Sequence, residues 1–162
     1  MKINHLALKA IYLHEMDRFR RTLTQSLLSP VLTTSLYFIV FGSVIGGYVE
    51  KIDGISYGSY IVPGLLMLTL LTQSISNTSF GIFFPKFNGT IYEILAAPIS
   101  TFEVVLAFVG AGATKTLIVS IVIFITSLFF VEVQVKYPFL MIFLLILVAF
   151  TFALFGFLIG LM

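Results

Sequence analysis

Few side chains in this sequence could do chemistry, and none is arranged for catalysis. His5 and His14 both stand in the N-terminal segment with no cluster of ligands around them, so the donor set of a metalloenzyme is missing. Serine and threonine are plentiful, but spacing pairs none of them with a base. They read as packing and hydrogen-bonding groups. Cysteine is absent, which excludes disulfides and thiolate metal sites. Three features carry more meaning. Lys115 is a lone charge in a long apolar tract. Thr69, Thr72, Gln73, Ser76 and Asn77 recur at i, i+3, i+4, i+7 and i+8, one continuous stripe on a helix. Residues 88–98 form a short mixed segment between two apolar tracts.

The elements that must position these groups are dictated by composition. Hydrophobic residues make up 59% of the chain and charged residues only 10%. Mean hydropathy is +1.12. Such a chain cannot cover its surface with polar groups, so its solvent is mostly lipid. A spanning helix needs ~20 apolar residues, because the hydrocarbon core is ~30 Å thick and each residue rises ~1.5 Å. Four stretches qualify, residues 30–49, 60–82, 104–131 and 138–162. The expected fold class is therefore an all-α integral membrane bundle, a single transmembrane domain over residues 1–162. The last stretch meets the end of the sequence without a polar flank, which suggests a chain that stops early.

Charge gives the expected orientation. Lys2, Lys9, Arg18, Arg20 and Arg21, of nine Lys and Arg in all, precede the first span. The next loop holds Lys51 against Glu50 and Asp53. The positive-inside rule then puts the N-terminus in the cytoplasm. The loop after span two offers no support, with Lys86 facing Glu93 and, at its edge, Glu103. A net charge of +2 is too small to imply nucleic acid binding.

Local signals refine the elements. Residues 3–22 read as an amphipathic interfacial helix, with Ile3, Leu6, Ala7, Ala10 and Ile11 on one face. Its alternative is a basic anchor that only fixes topology. Ser29-Pro30 is expected to cap and open span one. Pro63-Gly64 marks an irregularity in span two. Gly42/Gly46 and Gly156/Gly160 are G-x-x-x-G pairs, and Ala107, Gly110, Ala111, Gly112 and Thr114 give a small-residue surface. The polar stripe should avoid lipid. It either hydrogen-bonds between helices or lines a substrate path or partner subunit. Lys115 snorkels to the headgroups if the bilayer starts near Gly110, and is an intramembrane functional charge if it starts near Val104. In the loop 83–102, Asn88-Gly89 signals a turn, and Thr90 with Glu93 fits a capping box. Pro98 ends that helix. Ile91, Ile94 and Leu95 share a face, so the segment is either a connector or a short helix for docking on another protein.

These pieces resemble one family. Tyr60-Ile61-Val62-Pro63-Gly64 opens span two, and Asn88-Gly89-Thr90-Ile91-Tyr92-Glu93-Ile94-Leu95-Ala96-Ala97-Pro98-Ile99-Ser100 follows it. With the basic N-terminus and the Ser-Pro start, the chain looks like the ABC-2 type transport permeases of bacterial inner membranes. The resemblance implies a permease subunit of an ATP-driven exporter, paired with a separate ABC ATPase and with a second permease copy. It implies that residues 88–98 form a coupling helix, with Thr90, Ile91, Tyr92, Glu93, Leu95 and Pro98 as contacts. ATP and magnesium then belong to the partner, and this chain has no cofactor, metal or catalytic residue of its own. The family has six spans against four here, so a fragment or truncated copy is expected. A four-helix membrane scaffold without transport activity is the alternative. An ion-coupled transporter is disfavoured, because no Asp or Glu lies within a predicted span.

Overall fold

The computed structural model describes residues 4–41, 51–52, 55–131 and 135–162. Its elements are α1 (His5–Arg21), α2 (Leu23–Ile39), β1 (Lys51–Ile52), β2 (Ile55–Ser56), α3 (Tyr57–Phe87), α4 (Ile91–Ala96), α5 (Thr101–Phe130) and α6 (Pro138–Leu161). The two short strands pair antiparallel, Lys51 opposite Ser56 and Ile52 opposite Ile55. The composition had not announced this hairpin.

Among the described residues three helices, α3, α5 and α6, are long and apolar enough to cross a membrane. The expected first span is only partly described. α2 covers its first half, while residues 42–50, with Gly42 and Gly46, lie outside the described residues. Its start differs from expectation. Pro30 does not open the helix but lies buried within it. The helix begins earlier because Leu23–Leu28 is already a good helical run, and proline forfeits only one backbone bond. Thr22 alone separates α1 from α2, and its hydroxyl donates to the carbonyls of Arg18 and Phe19.

α3 and α6 run parallel and very close. A methyl group at Gly156 would sit 2.5 Å from the Ile75 carbonyl oxygen, and one at Gly160 would sit 2.7 Å from that of Ser79. Those contacts need glycine, so the G-x-x-x-G pair here brings two backbones together. One turn away, the Ser74 hydroxyl donates to the Ala149 carbonyl at 2.7 Å. α5 runs antiparallel to both helices. Gly112 accommodates Thr78 of α3, and Phe108 packs against Phe157 of α6. Leu70, Ile82, Phe108, Val109, Ala113, Ala149, Ala153 and Phe157 form the core where the three helices meet.

α1 and α2 lie end to end along α5. Their contacts advance in step with it: Asn4 with Glu103, Tyr12 with Thr114, Glu15 with Lys115, and Phe38 with Phe130. The packed face of α1 only partly matches the one its apolar spacing selects: Ile11 packs against the core and Ala7 is half-buried. Leu6 is 82% exposed, whereas Glu15 and Phe19 are buried.

Candidate functional site

The segment between α3 and α5 is built by a turn that only glycine makes cheaply. Gly89 has φ +78°, a left-handed conformation that side chains with a Cβ resist. α3 continues through Pro85 to Phe87, so helix replaces the first residues of the expected loop. The chain then reverses at Asn88-Gly89 and enters α4. The expected capping box does not form here. Thr90 makes no side-chain cap, because it is already helical at φ −67° and ψ −14°. Its hydroxyl instead donates to the Pro85 carbonyl. The capping box is one helix later. Ser100 accepts from the Glu103 N–H, and Glu103 accepts from the Ser100 N–H at 2.9 Å. Ser100-Thr101-Phe102-Glu103 carries the same S-x-x-E signal, so the sequence could have revealed it.

α4 divides its residues between two sides. Ile91 and Ile94 are half-buried, and Ile94 packs against the core. Tyr92 and Leu95 are 71% and 67% exposed. Thr90, Glu93 and Pro98 are exposed beside them. The face expected from Ile91, Ile94 and Leu95 is thus split. The isoleucines hold α4 to the bundle, while Tyr92, Glu93 and Leu95 point outward.

The polar stripe occupies one flank of α3, beside the face that packs on α5 and α6. Thr69, Gln73 and Asn77 are half-buried, and Thr72 and Ser76 are exposed. Thr69 and Thr72 donate to carbonyls of their own helix, those of Leu65 and Leu68. The Asn77 amide donates to the Gln73 carbonyl oxygen. Within the chain Thr69, Thr72 and Asn77 therefore bond along their own helix, whereas hydrogen bonds from α3 to α6 come from Ser74 and Lys86, which the stripe omits. Phe80, Phe83, Phe84 and Phe87 extend the same flank as exposed rings in contact with one another.

Lys115 is buried and paired. Its Nζ lies 2.7 Å from Glu15 Oε2, and the two side chains are 4% and 3% exposed. Arg18 Nη2 reaches the same oxygen at 3.1 Å. The ammonium thus finds its counter-charge on α1, a partner that neither snorkelling nor isolation had suggested. Nothing local in the sequence signals this pair. At the far end of α3, a cleft of about 1400 Å³ is lined by Tyr37, Phe41, Tyr57, Tyr60, Phe124 and Tyr137. Among the described residues no group of His, Cys, Asp or Glu could hold a metal ion.

A bundle of long apolar helices, with a short exposed helix on one inter-helix loop, defines a helical membrane protein. The chain belongs to the ABC-2 type transporter family, whose match covers residues 7–162. It is 39% identical over 160 residues to the inner membrane transport permease YadH of Escherichia coli K12, and equally to that of Shigella flexneri. The match covers 99% of this chain and 62% of each relative's length. No solved structure matches the chain.

Proposed function

We propose that this chain provides the N-terminal spans of a permease subunit in an ATP-driven exporter of the bacterial inner membrane, with its N-terminus in the cytoplasm. α4 acts as the coupling helix on a separate ABC ATPase, which binds and hydrolyses ATP with magnesium. Thr90, Tyr92, Glu93, Leu95 and Pro98 form the contact face, and Ile91 sits at its edge. The observation that carries this reading is the outward exposure of Tyr92 and Leu95 on a six-residue helix whose other side is held to the core. Exposed large apolar side chains on an otherwise anchored helix fit a groove on a partner. ATP binding at the partner then shifts the permease between two arrangements.

The stripe on α3 fits the same reading. Its uncovered flank faces the substrate path or the second permease copy, and its amides Gln73 and Asn77 would bind there. Membership of the ABC-2 type transporter family and similarity to the YadH transport permeases support transport as the activity. The substrate is left open by these residues.

The test is Leu95→Asp, which places a charge at the centre of the contact face. We expect normal membrane insertion and loss of co-purification with its ABC ATPase partner, by at least ~10-fold. Recovery of the variant with the ATPase at wild-type yield would sink the coupling-helix assignment and favour a scaffold role.

A further inference from the structure

We propose that Glu15, Lys115 and Arg18 form a fixed joint between α1 and α5, with Glu15 as the residue that positions the N-terminal helix. α1 then travels with α5 instead of moving as a separate surface element. Three observations carry this. First, the pair is buried: Lys115 Nζ and Glu15 Oε2 are 2.7 Å apart on side chains that solvent barely reaches. Second, α3 leaves room for it. At Gly81 a Cβ would stand 3.4 Å from Glu15 Oε2 and 3.8 Å from Arg18 Nη2, so the charged node sits against a helix face without a side chain. Third, the node is one of three polar fastenings along one seam. Tyr12 donates to Thr114 Oγ1 at 3.1 Å, and the Asn4 N–H donates to Glu103 at 2.6 Å.

The physics makes Glu15 a positioning residue rather than an ornament. An ammonium in an apolar bundle needs a counter-charge, and removing one partner strands the other. Replacing both by neutral groups of similar size leaves no stranded charge. Lys115 without Glu15 is drawn toward a headgroup phosphate, and that pulls α5 away from α1. Arg18 is partly exposed and adds a second cation to the same oxygen.

The test uses the full chain in membranes, without any ATPase. Tyr12→Cys and Thr114→Cys are introduced into a sequence that has no other cysteine, and a short thiol-bridging reagent reports whether α1 lies against α5. Glu15→Gln or Lys115→Met alone should lower bridging by at least ~10-fold. The double variant Glu15→Gln/Lys115→Met should stay within ~3-fold of the parent, and the exchange Glu15→Lys/Lys115→Glu should recover bridging. Equal bridging in all variants would overturn the joint. If a single variant fails to accumulate, the exchange variant decides, since recovery of both accumulation and bridging supports the pair and loss of both refutes it. The motion claim rests on the transporter reading and has its own arm. Bridging the parent should leave ATP hydrolysis by the assembled complex unchanged, and a loss would show that α1 and α5 must part. Because the first arm lacks the ATPase, its outcome is independent of the Leu95→Asp result.

Discussion

The seam between α3 and α6 and the seam between α1 and α5 hold helices together by opposite means. The first is nearly all backbone and small residues. Gly156 and Gly160 let α6 settle onto the carbonyls of Ile75 and Ser79, and Ser74 and, at the end of the helices, Lys86 each donate a hydrogen bond to an α6 carbonyl. The second is held by side-chain polarity, through Glu15–Lys115, Tyr12–Thr114 and Asn4–Glu103. Close packing between apolar helices gives many weak contacts that tolerate no added volume. Charge pairing gives few strong contacts that tolerate volume but not the loss of one partner. The comparison teaches that one small bundle can contain a seam specified by shape and a seam specified by charge.

Three substitutions test that contrast, from the largest effect to the smallest. Gly156→Ile should break the shape-specified seam. Its Cβ would meet the Ile75 carbonyl at 2.5 Å, and backbone cannot step aside, so destabilisation of ~3 kcal/mol or more is expected in detergent unfolding. Bridging between α1 and α5 should survive in the fraction that folds. Equal loss at both seams would mean they are a single unit. Glu103→Ala should cost about 1–2 kcal/mol, since the carboxylate serves both the Ser100 and Asn4 N–H groups. Faster proteolysis at the N-terminus would locate the damage at α1, and unchanged cleavage would reduce Glu103 to a cap of α5. Tyr12→Phe removes one hydroxyl contact and should cost only about 0.6 kcal/mol. A loss as large as that from Lys115→Met would move the weight of the seam from charge to the tyrosine.

What could be read from the sequence was what repeats or turns locally. The apolar tracts became α3, α5 and α6, and Asn88-Gly89 became the turn it signals. The G-x-x-x-G spacing on α6 marks a place where two backbones meet. Capping was misread because two segments share one pattern. Thr90 follows a left-handed glycine and is already helical. Ser100 follows the Pro98 segment and is extended at φ −76° and ψ 149°, the conformation that an N-cap requires. Pro30 was read as a helix start because proline favours that place, yet the run before it was helical enough to absorb it. The charged node was beyond reach. Glu15 reads locally as part of a basic surface segment and Lys115 as a snorkelling or intramembrane functional charge, and only the fold makes them neighbours.

The order of synthesis gives the joint a further meaning. Glu15 and Lys115 are 100 residues apart, and the other two polar fastenings of that seam are separated by 99 and 102. At roughly 5–20 residues per second, α1 leaves the ribosome ~5–20 s before its partner helix exists. Until then Glu15 has no reason to leave water. The N-terminal helix can make this contact only when α5 arrives. The charge pair is therefore a late event of biogenesis, closed only once the first helix made and a much later one are both in place.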